Sequence, residues 1–194
     1  NVLNITFDYS TSDYIVKLYN ILNKLKVNTA IIGPEIYLVD GIVDYFNKNG
    51  IKCFGPDKKS AMLEGSKNYA KDIMIKYNFI TSPHRTFEDF ESSSEFLKNN
   101  YLSGFQVIKV SGLAGGKGVC VCNSLENGLN FLNDVFIKNK FGEHNHTVLL
   151  EQIPIGQEVS LMGFCNGKTI EFLQQAQDYK RLNDNNKGPN TGGM

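Results

Sequence analysis

Several things are missing from this 194-residue sequence, and each absence narrows what it can be. No charge of one sign predominates. Lys plus Arg and Asp plus Glu number 20 each, so there is no general field to attract nucleic acid or anionic lipid, and any anion must be held by a local arrangement. No apolar run approaches the roughly 18 residues of a membrane span, and residues 1–14 lack the basic-then-apolar pattern of a signal peptide. A soluble, cytoplasmic protein without nucleic-acid or membrane partners is expected. Cysteine is scarce, at four residues. Cys53 and Cys165 stand alone, and Cys120 and Cys122, on an apparent strand, are expected to point to opposite faces. Neither a disulfide framework nor a zinc site follows, and all four cysteines read as small buried hydrophobes. His84, His144 and His146 fall in loop-like stretches without ligand spacing, so exposed surface is their expected place and no metal site is assigned to the chain. Repeats and low-complexity tracts are absent too.

What remains is an ordinary globular composition. Apolar residues make up 41%, with 13 Phe and 9 Tyr, enough to bury the core of one domain or two small ones. Ile15, Leu18, Leu22 and Leu25 predict an amphipathic helix over 13–26, with N-cap chemistry from Thr11-Ser12-Asp13. A strand follows at 29–32, then one helix carrying Leu38, Val39, Ile42, Val43 and Phe46, ended by Asn49-Gly50, and a strand at 51–54. Helices alternating with short apolar strands predict a parallel α/β sheet, whose carboxyl-end loops, Gly33-Pro34-Glu35 and Gly55-Pro56, are where ligands bind. After Ser60 the pattern becomes α+β. Helices are expected at 60–77, near 93–100 starting at Ser92-Ser93-Ser94, and at 125–138, with strands at 105–110, 119–122 and 147–151. Asn166-Gly167 predicts a hairpin joining 158–164 to 169–177. Asn1 at the start and Thr191-Gly192-Gly193-Met194 at the end suggest a piece of a longer polypeptide.

The chemistry concentrates in Val107–Val119. Four glycines in the seven positions 112–118, with Lys109 before them and Lys117 among them, make a loop able to present backbone N–H groups and positive charge to a phosphate. It is not a P-loop: Ser111 stands where the first glycine belongs, Gly118 follows the lysine, and Val119 and Val121 lead into a strand rather than a helix. A third glycine for the dinucleotide pattern is lacking as well. Lys67 in Glu64-Gly65-Ser66-Lys67 could converge on the same loop, and two lysines under a glycine-rich cover suit a triphosphate. Glu151, at the end of a strand, and Glu158, just beyond it, suit ribose hydroxyls.

Strand lysine, glycine-rich flap, helix, strand ending in Glu and a second Glu follow the ATP-grasp order, and within it the sequence resembles the phosphoribosylamine–glycine ligase (glycinamide ribonucleotide synthetase) family. The matching segments are Ile32-Gly33-Pro34-Glu35, Phe54-Gly55-Pro56, Leu63–Lys67, Ser111–Gly118, Gln177–Arg181 and Gly188–Met194, which cover most of the chain in the family's order. The resemblance implies the end of a parallel α/β N-terminal domain (1–60), a helical linker and start of the ATP-grasp region (61–105), and a nucleotide-binding ATP-grasp region (106–194) with antiparallel sheet and flap.

The activity it implies is ATP-dependent ligation of glycine to 5-phosphoribosylamine through a glycyl phosphate, giving glycinamide ribonucleotide, ADP and phosphate. Lys67 and Lys109 would contact the nucleotide phosphates, with Ser111, Gly112, Gly115, Gly116, Lys117 and Gly118 closing over them. Glu151, Gln152 and Ile153 would form the adenine hinge and Glu158 would hold the ribose. Gly33, Pro34 and Glu35 would line the phosphoribosyl side, joined in substrate binding by Lys180 and Pro189. Asp178, Arg181, Asn190, Thr191 and Gly192 would be catalytic. Mg2+ is implied with its ligands outside this chain, so the segment alone is expected to be inactive, and fusion to other purine-pathway domains is left open. Three departures stand out: Tyr179 where the family usually has His, Gln157 for a common Glu, and Pro154 at a hinge position whose N–H proline lacks. The alternatives are another ATP-grasp carboxylate–amine ligase or a non-catalytic nucleotide-binding remnant.

Overall fold

Near the N-terminus, a heptad-like stripe of apolar residues folds as α1 (Tyr14–Lys24), the first of seven α-helices among the described residues of the computed structural model. Those residues are 3–142, 145–179, 181–185 and 187–191. Asp13 precedes α1 but does not cap it through its side chain. Its carboxylate lies instead 2.8 Å from the Lys17 ammonium one turn on, a competition that the expected N-cap loses.

β1 (Thr29–Ile31) and β2 (Lys52–Phe54) pair in parallel with Ala30 opposite Cys53. The helical run between them is two short helices, α2 (Glu35–Asp40) and α3 (Ile42–Lys48), rather than the single helix expected. Gly41 divides them at φ +95°, a left-handed conformation that ends α2 and starts α3 in a new direction. The Asn49-Gly50 stop is as the sequence predicts: Ile51 N–H bonds Phe46 O (3.0 Å) and Gly50 N–H bonds Asn47 O (3.3 Å), a Schellman pair. Phe46, Ile42, Val43 and Tyr14 centre this first core.

α4 (Lys58–Gly65) and α5 (Lys67–Lys76) lead to β3 (His84–Phe87) and α6 (Phe90–Asn100). α6 begins earlier than the serine run suggests, because Asp89 is the cap, accepting the Ser92 N–H at 2.7 Å. β4 (Phe105–Val110), β5 (Val119–Val121), α7 (Leu125–Phe136) and β6 (Val148–Gln152) complete a four-stranded antiparallel sheet ordered β3-β6-β4-β5. Alternation sends Ile108, Val110, Val148 and Leu150 to the face carrying Leu97 of α6 and Leu132 and Val135 of α7, the second core. The opposite face keeps Val107, Lys109, Leu149 and Glu151. The glycine-rich loop is the β4–β5 connection.

Two compact units divide at Ile153/Pro154. The second holds an antiparallel ribbon, β7 (Gly163–Cys165) with β8 (Ile170–Phe172), and another, β9 (Arg181–Asn183) with β10 (Lys187–Asn190). The predicted hairpin is present but shorter, extended only by an isolated Ser160–Ala176 bridge. Its connection has four residues, Asn166–Thr169, because Asn166 Oδ1 accepts the N–H groups of Lys168 and Thr169, both at 2.9 Å, and so organises a wider turn.

The cysteine and histidine expectations need correcting. Residues two apart in a strand share a face, so Cys120 and Cys122 lie together, with Sγ atoms 3.7 Å apart. Only Cys122 is buried: Cys53 and Cys120 are half-buried and Cys165 is exposed. His84 is half-buried on β3 rather than in an exposed loop, and His146 is half-buried with Nε2 sealed from solvent. His144 lies outside the described residues.

Candidate functional site

Three lysines and one buried carboxylate meet on the sheet face away from α6 and α7. Glu151 of β6, its side chain 5% exposed, sits across from Val107 of β4. Its Oε2 accepts from Lys109 Nζ at 2.8 Å. Lys71 Nζ reaches within 3.5 Å of Oε1, in ion-pair range but without hydrogen-bond geometry, so Oε1 is a buried acceptor without a donor. Lys71 is nearly buried and donates to Thr81 Oγ1 at 2.6 Å. One turn earlier on the same face of α5 stands Lys67, whose Nζ donates to Gly112 O at 3.3 Å.

α5 is held where these contacts require. Ser66 caps it, accepting the Tyr69 N–H at 3.2 Å. Lys67 N–H bonds Ser111 O (2.9 Å), Ser66 and Ser111 hydroxyls lie 3.2 Å apart, and Asn68 N–H bonds Ser111 Oγ (3.2 Å). Thr86 of β3 adds a 2.7 Å bond to Asn68 Oδ1. The start of α5 and the start of the glycine-rich loop are therefore one hydrogen-bonded joint.

The loop runs from buried Ser111 to buried Gly118, with Gly115, Gly116 and Lys117 exposed at its tip. Gly115 and Gly116 have φ +56° and +75°, consecutive left-handed residues that L side chains rarely adopt. Glycine is required at the feet for another reason: a Cβ on Gly112 would run into the Asn145 amide, and one on Gly118 would come within 2.7 Å of Ala114 Cβ. A cleft of about 550 Å³ beside Ala114 and Lys117, bounded by Phe131, Lys140 and Phe141, leaves the tip room to move.

Burial pushes the Lys67 ammonium below the ordinary lysine pKa; Glu64 opposes this, Lys109 adds to it, and Glu151 opposes it. Lysines held together at a desolvation cost, under a loop of backbone N–H groups, gain most from an incoming anion.

The structure thus brings Lys67, Lys109, Ser111, Gly112 and Glu151 together, and adds Lys71, to which the sequence pattern assigns no role. Its signal was the four-residue spacing from Lys67, which puts both on one helix face. The N–H groups of Gln152 and Ile153 bond Pro83 O and Gly104 O, both at 3.0 Å, and Gln152 Nε2 bonds Ser103 O. Gly33, Pro34 and Glu35 follow β1, and Glu35 joins Pro56, Ser60 and Glu64 around a separate cleft of about 250 Å³. In the second unit Glu158 is exposed, while Asp178 and Thr191 are half-buried. The backbone of Arg181 pairs with that of Asn190 across the β9–β10 ladder, and Pro189 belongs to the same ribbon. Lys180 and Gly192 lie outside the described residues.

This geometry has relatives. Residues 65–194 match the family described as phosphoribosylglycinamide synthetase, ATP-grasp (A) domain, and residues 3–64 match the N domain of the same synthetase. The chain belongs to the phosphoribosylglycinamide synthetase family. Family members similar to it include the phosphoribosylamine–glycine ligases of Listeria innocua, 42% identical over 92% of this chain, and Streptococcus pyogenes serotype M1, 43% identical over 87%. The chain spans about two fifths of the length of these relatives (42% and 40%). A crystal structure of the Thermotoga maritima phosphoribosylamine–glycine ligase superposes with TM-score 0.66 at 39% identity, covering 74% of this chain and 36% of that one. D-alanyl-alanine synthetase A of Vibrio cholerae, TM-score 0.60 at 12% identity, shares the fold alone.

Proposed function

We propose that this chain supplies the nucleotide-binding part of a phosphoribosylamine–glycine ligase, an ATP-dependent carbon–nitrogen ligase of purine biosynthesis acting in the cytoplasm. The observation that carries the reading is the buried Glu151 held between Lys109 and Lys71, with Lys67 one helical turn away at the foot of the glycine-rich loop. Residues 1–60 would then close the phosphoribosyl side, 61–105 link, and 106–194 bind nucleotide.

The residues fit a nucleoside triphosphate. Lys67 and Lys109 would neutralise the phosphates, each as a charged donor, and the N–H groups of Ser111–Gly118 would cover them. The Oε1 atom of Glu151, buried without a donor, would accept from an exocyclic amine or a hydroxyl of the nucleoside. Glu35, on a cleft that also carries Glu64, suits ribose hydroxyls better than a phosphate. Mg2+, where bound, would neutralise phosphate charge through carboxylates supplied by the remainder of such a ligase.

A carboxylate is a poor electrophile until one oxygen becomes a leaving group. Transfer of the terminal phosphoryl group to glycine supplies that leaving group, and the amine of 5-phosphoribosylamine then displaces phosphate from the acyl carbon. The lysines stabilise charge on the transferring group, and closure of the loop keeps water from the acyl phosphate. Asp178, Arg181, Asn190, Thr191 and Gly192, with Lys180 and Pro189, would shape the glycine pocket.

Two measurements test this. ATP titrated into the chain should bind about tenfold or more weakly to Lys109→Ala, the loss of one charged hydrogen bond; equal affinities would reject the nucleotide site. The complete polypeptide should release ADP only when glycine and phosphoribosylamine are both present, and release that ignores glycine would reject the ligase.

A further inference from the structure

Cys120 and Cys122 take no part in the chemistry above, yet their sulfurs lie 3.7 Å apart. Both point toward α7. Cys122 is 4% exposed and packs in the second core, while Cys120 is half-buried, with its Sγ 3.4 Å from Oδ1 of exposed Asn127. A reagent in solution therefore meets Cys120 first and Cys122 only through it. The Cys120 thiol is made more acidic by its contact with the Cys122 sulfur, whose own proton is correspondingly harder to remove. The attacking sulfur is thus the accessible one.

The sulfurs are close enough to react, but the bond requires the strand to shorten. Residues two apart in an extended strand have Cα atoms about 6.6 Å apart, near the upper end of the roughly 4.4–6.8 Å found across disulfides, and their parallel Cβ atoms stand wider than the roughly 3.5–4.5 Å that a disulfide spans. β5 is the outer strand of its sheet and pairs only with β4, so it can adjust without disturbing a second ladder. Its first residue, Val119, pairs with Lys109, and Gly118 just before it accepts the Val110 N–H at 2.8 Å, the bond that closes the glycine-rich loop.

We infer that Cys120 and Cys122 are a dithiol–disulfide couple whose oxidation contracts β5 and releases the rear end of the glycine-rich loop. With hydrogen peroxide as oxidant, the Cys120 thiolate attacks one oxygen, the O–O bond breaks and hydroxide leaves, giving a sulfenic acid. The Cys122 sulfur then attacks the Cys120 sulfur and displaces that oxygen as water. Overall two thiols and one peroxide become one disulfide and two waters, and two electrons pass from sulfur to oxygen. The inference stands whether or not the chain binds a nucleotide.

The full chain, treated with a few equivalents of hydrogen peroxide and then an alkylating agent, should lose two hydrogens. The peptide holding Cys120 and Cys122 should resist alkylation until reduced, while exposed Cys165 alkylates at once. Backbone amides of residues 111–121 should exchange hydrogen about tenfold faster in the oxidised chain than in the reduced one. Cys120→Ser, at a half-buried position that tolerates a hydroxyl, should abolish both effects; Cys122→Ala gives a second check. A sulfinic acid at Cys120 with Cys122 still alkylatable, a bridge to Cys53 or Cys165, or equal exchange in the two forms would overturn the inference.

Discussion

Glu151 shows how much one side chain can settle. Replacing it by Gln keeps the volume and removes the charge, leaving Lys71 and Lys109 against a neutral amide. Breaking a buried pair by deleting one partner costs about 3–5 kcal/mol, and because Lys109 is 31% exposed the lower figure applies. Glu151→Gln should therefore lose about 3 kcal/mol in urea unfolding. Lys67 makes a second prediction. Its folded pKa lies below the unfolded value of 10.5, so in the interval between them the unfolded chain binds more protons. Stability should rise with pH there, while affinity for ATP falls as the ammonium facing Glu64, Lys109 and Glu151 discharges. Titrations with ATP from neutral pH upward should show that fall, and Lys67→Arg, which stays charged, should flatten it. Lys67, Lys109 and the glycines were legible in the sequence because their types and order already carry the chemistry. Lys71 was not: a lysine on a helix is ordinarily solvated, and only the fold brings it to a carboxylate far along the chain.

Elements were legible where a single period ran unbroken. Three strands of the antiparallel sheet, β4, β5 and β6, and α7 could be read from alternation and from three- and four-residue spacing, whereas β3 (His84–Phe87), too short to show a period, was not expected. The expectations failed where a local hydrogen bond chose between equal candidates, as when Asp89 capped α6 ahead of the serines, or where Gly41 broke one apolar stripe into two helices. Gly128, in the middle of α7, is instructive. Helix propensity alone would make Gly128→Ala stabilising by about 1 kcal/mol. A Cβ there, however, would lie 2.7 Å from Leu97 Cδ2 and 3.0 Å from Cys122 Sγ. Overpacking typically costs about 1–3 kcal/mol, so the clash offsets or exceeds the gain. Thermal unfolding of Gly128→Ala should therefore show a midpoint no higher than that of the parent, and a clear rise would mean that α7 stands further from α6 than the packing indicates.

At the scale of the whole molecule, the strength is concentrated. Every buried apolar residue described lies between Tyr14 and Leu150, and both core clusters end there. The second unit is built from two-stranded ribbons, which are marginal alone in water, and leaves Phe164, Ile170 and Phe172 more than half exposed (54%, 53% and 64%). Residues 154–194 alone should give the circular dichroism of a coil. Cooperative melting of that peptide would contradict this division. Sequence reading could not draw it, because alternating apolar residues look alike in a ribbon that has a core beneath it and in one that has none. The loop over the lysines is anchored just as unevenly. Its leading post, Ser111, is tied to Thr147, Ser66, Lys67 and Asn68, while among the described residues its trailing post, Gly118, is closed by the bond from Val110. It should swing like a door on one jamb: a spin label at the Lys117 tip would trace a wide arc pivoting about Ser111, and the gap it opens would widen toward β5, so a long ligand would enter from that side.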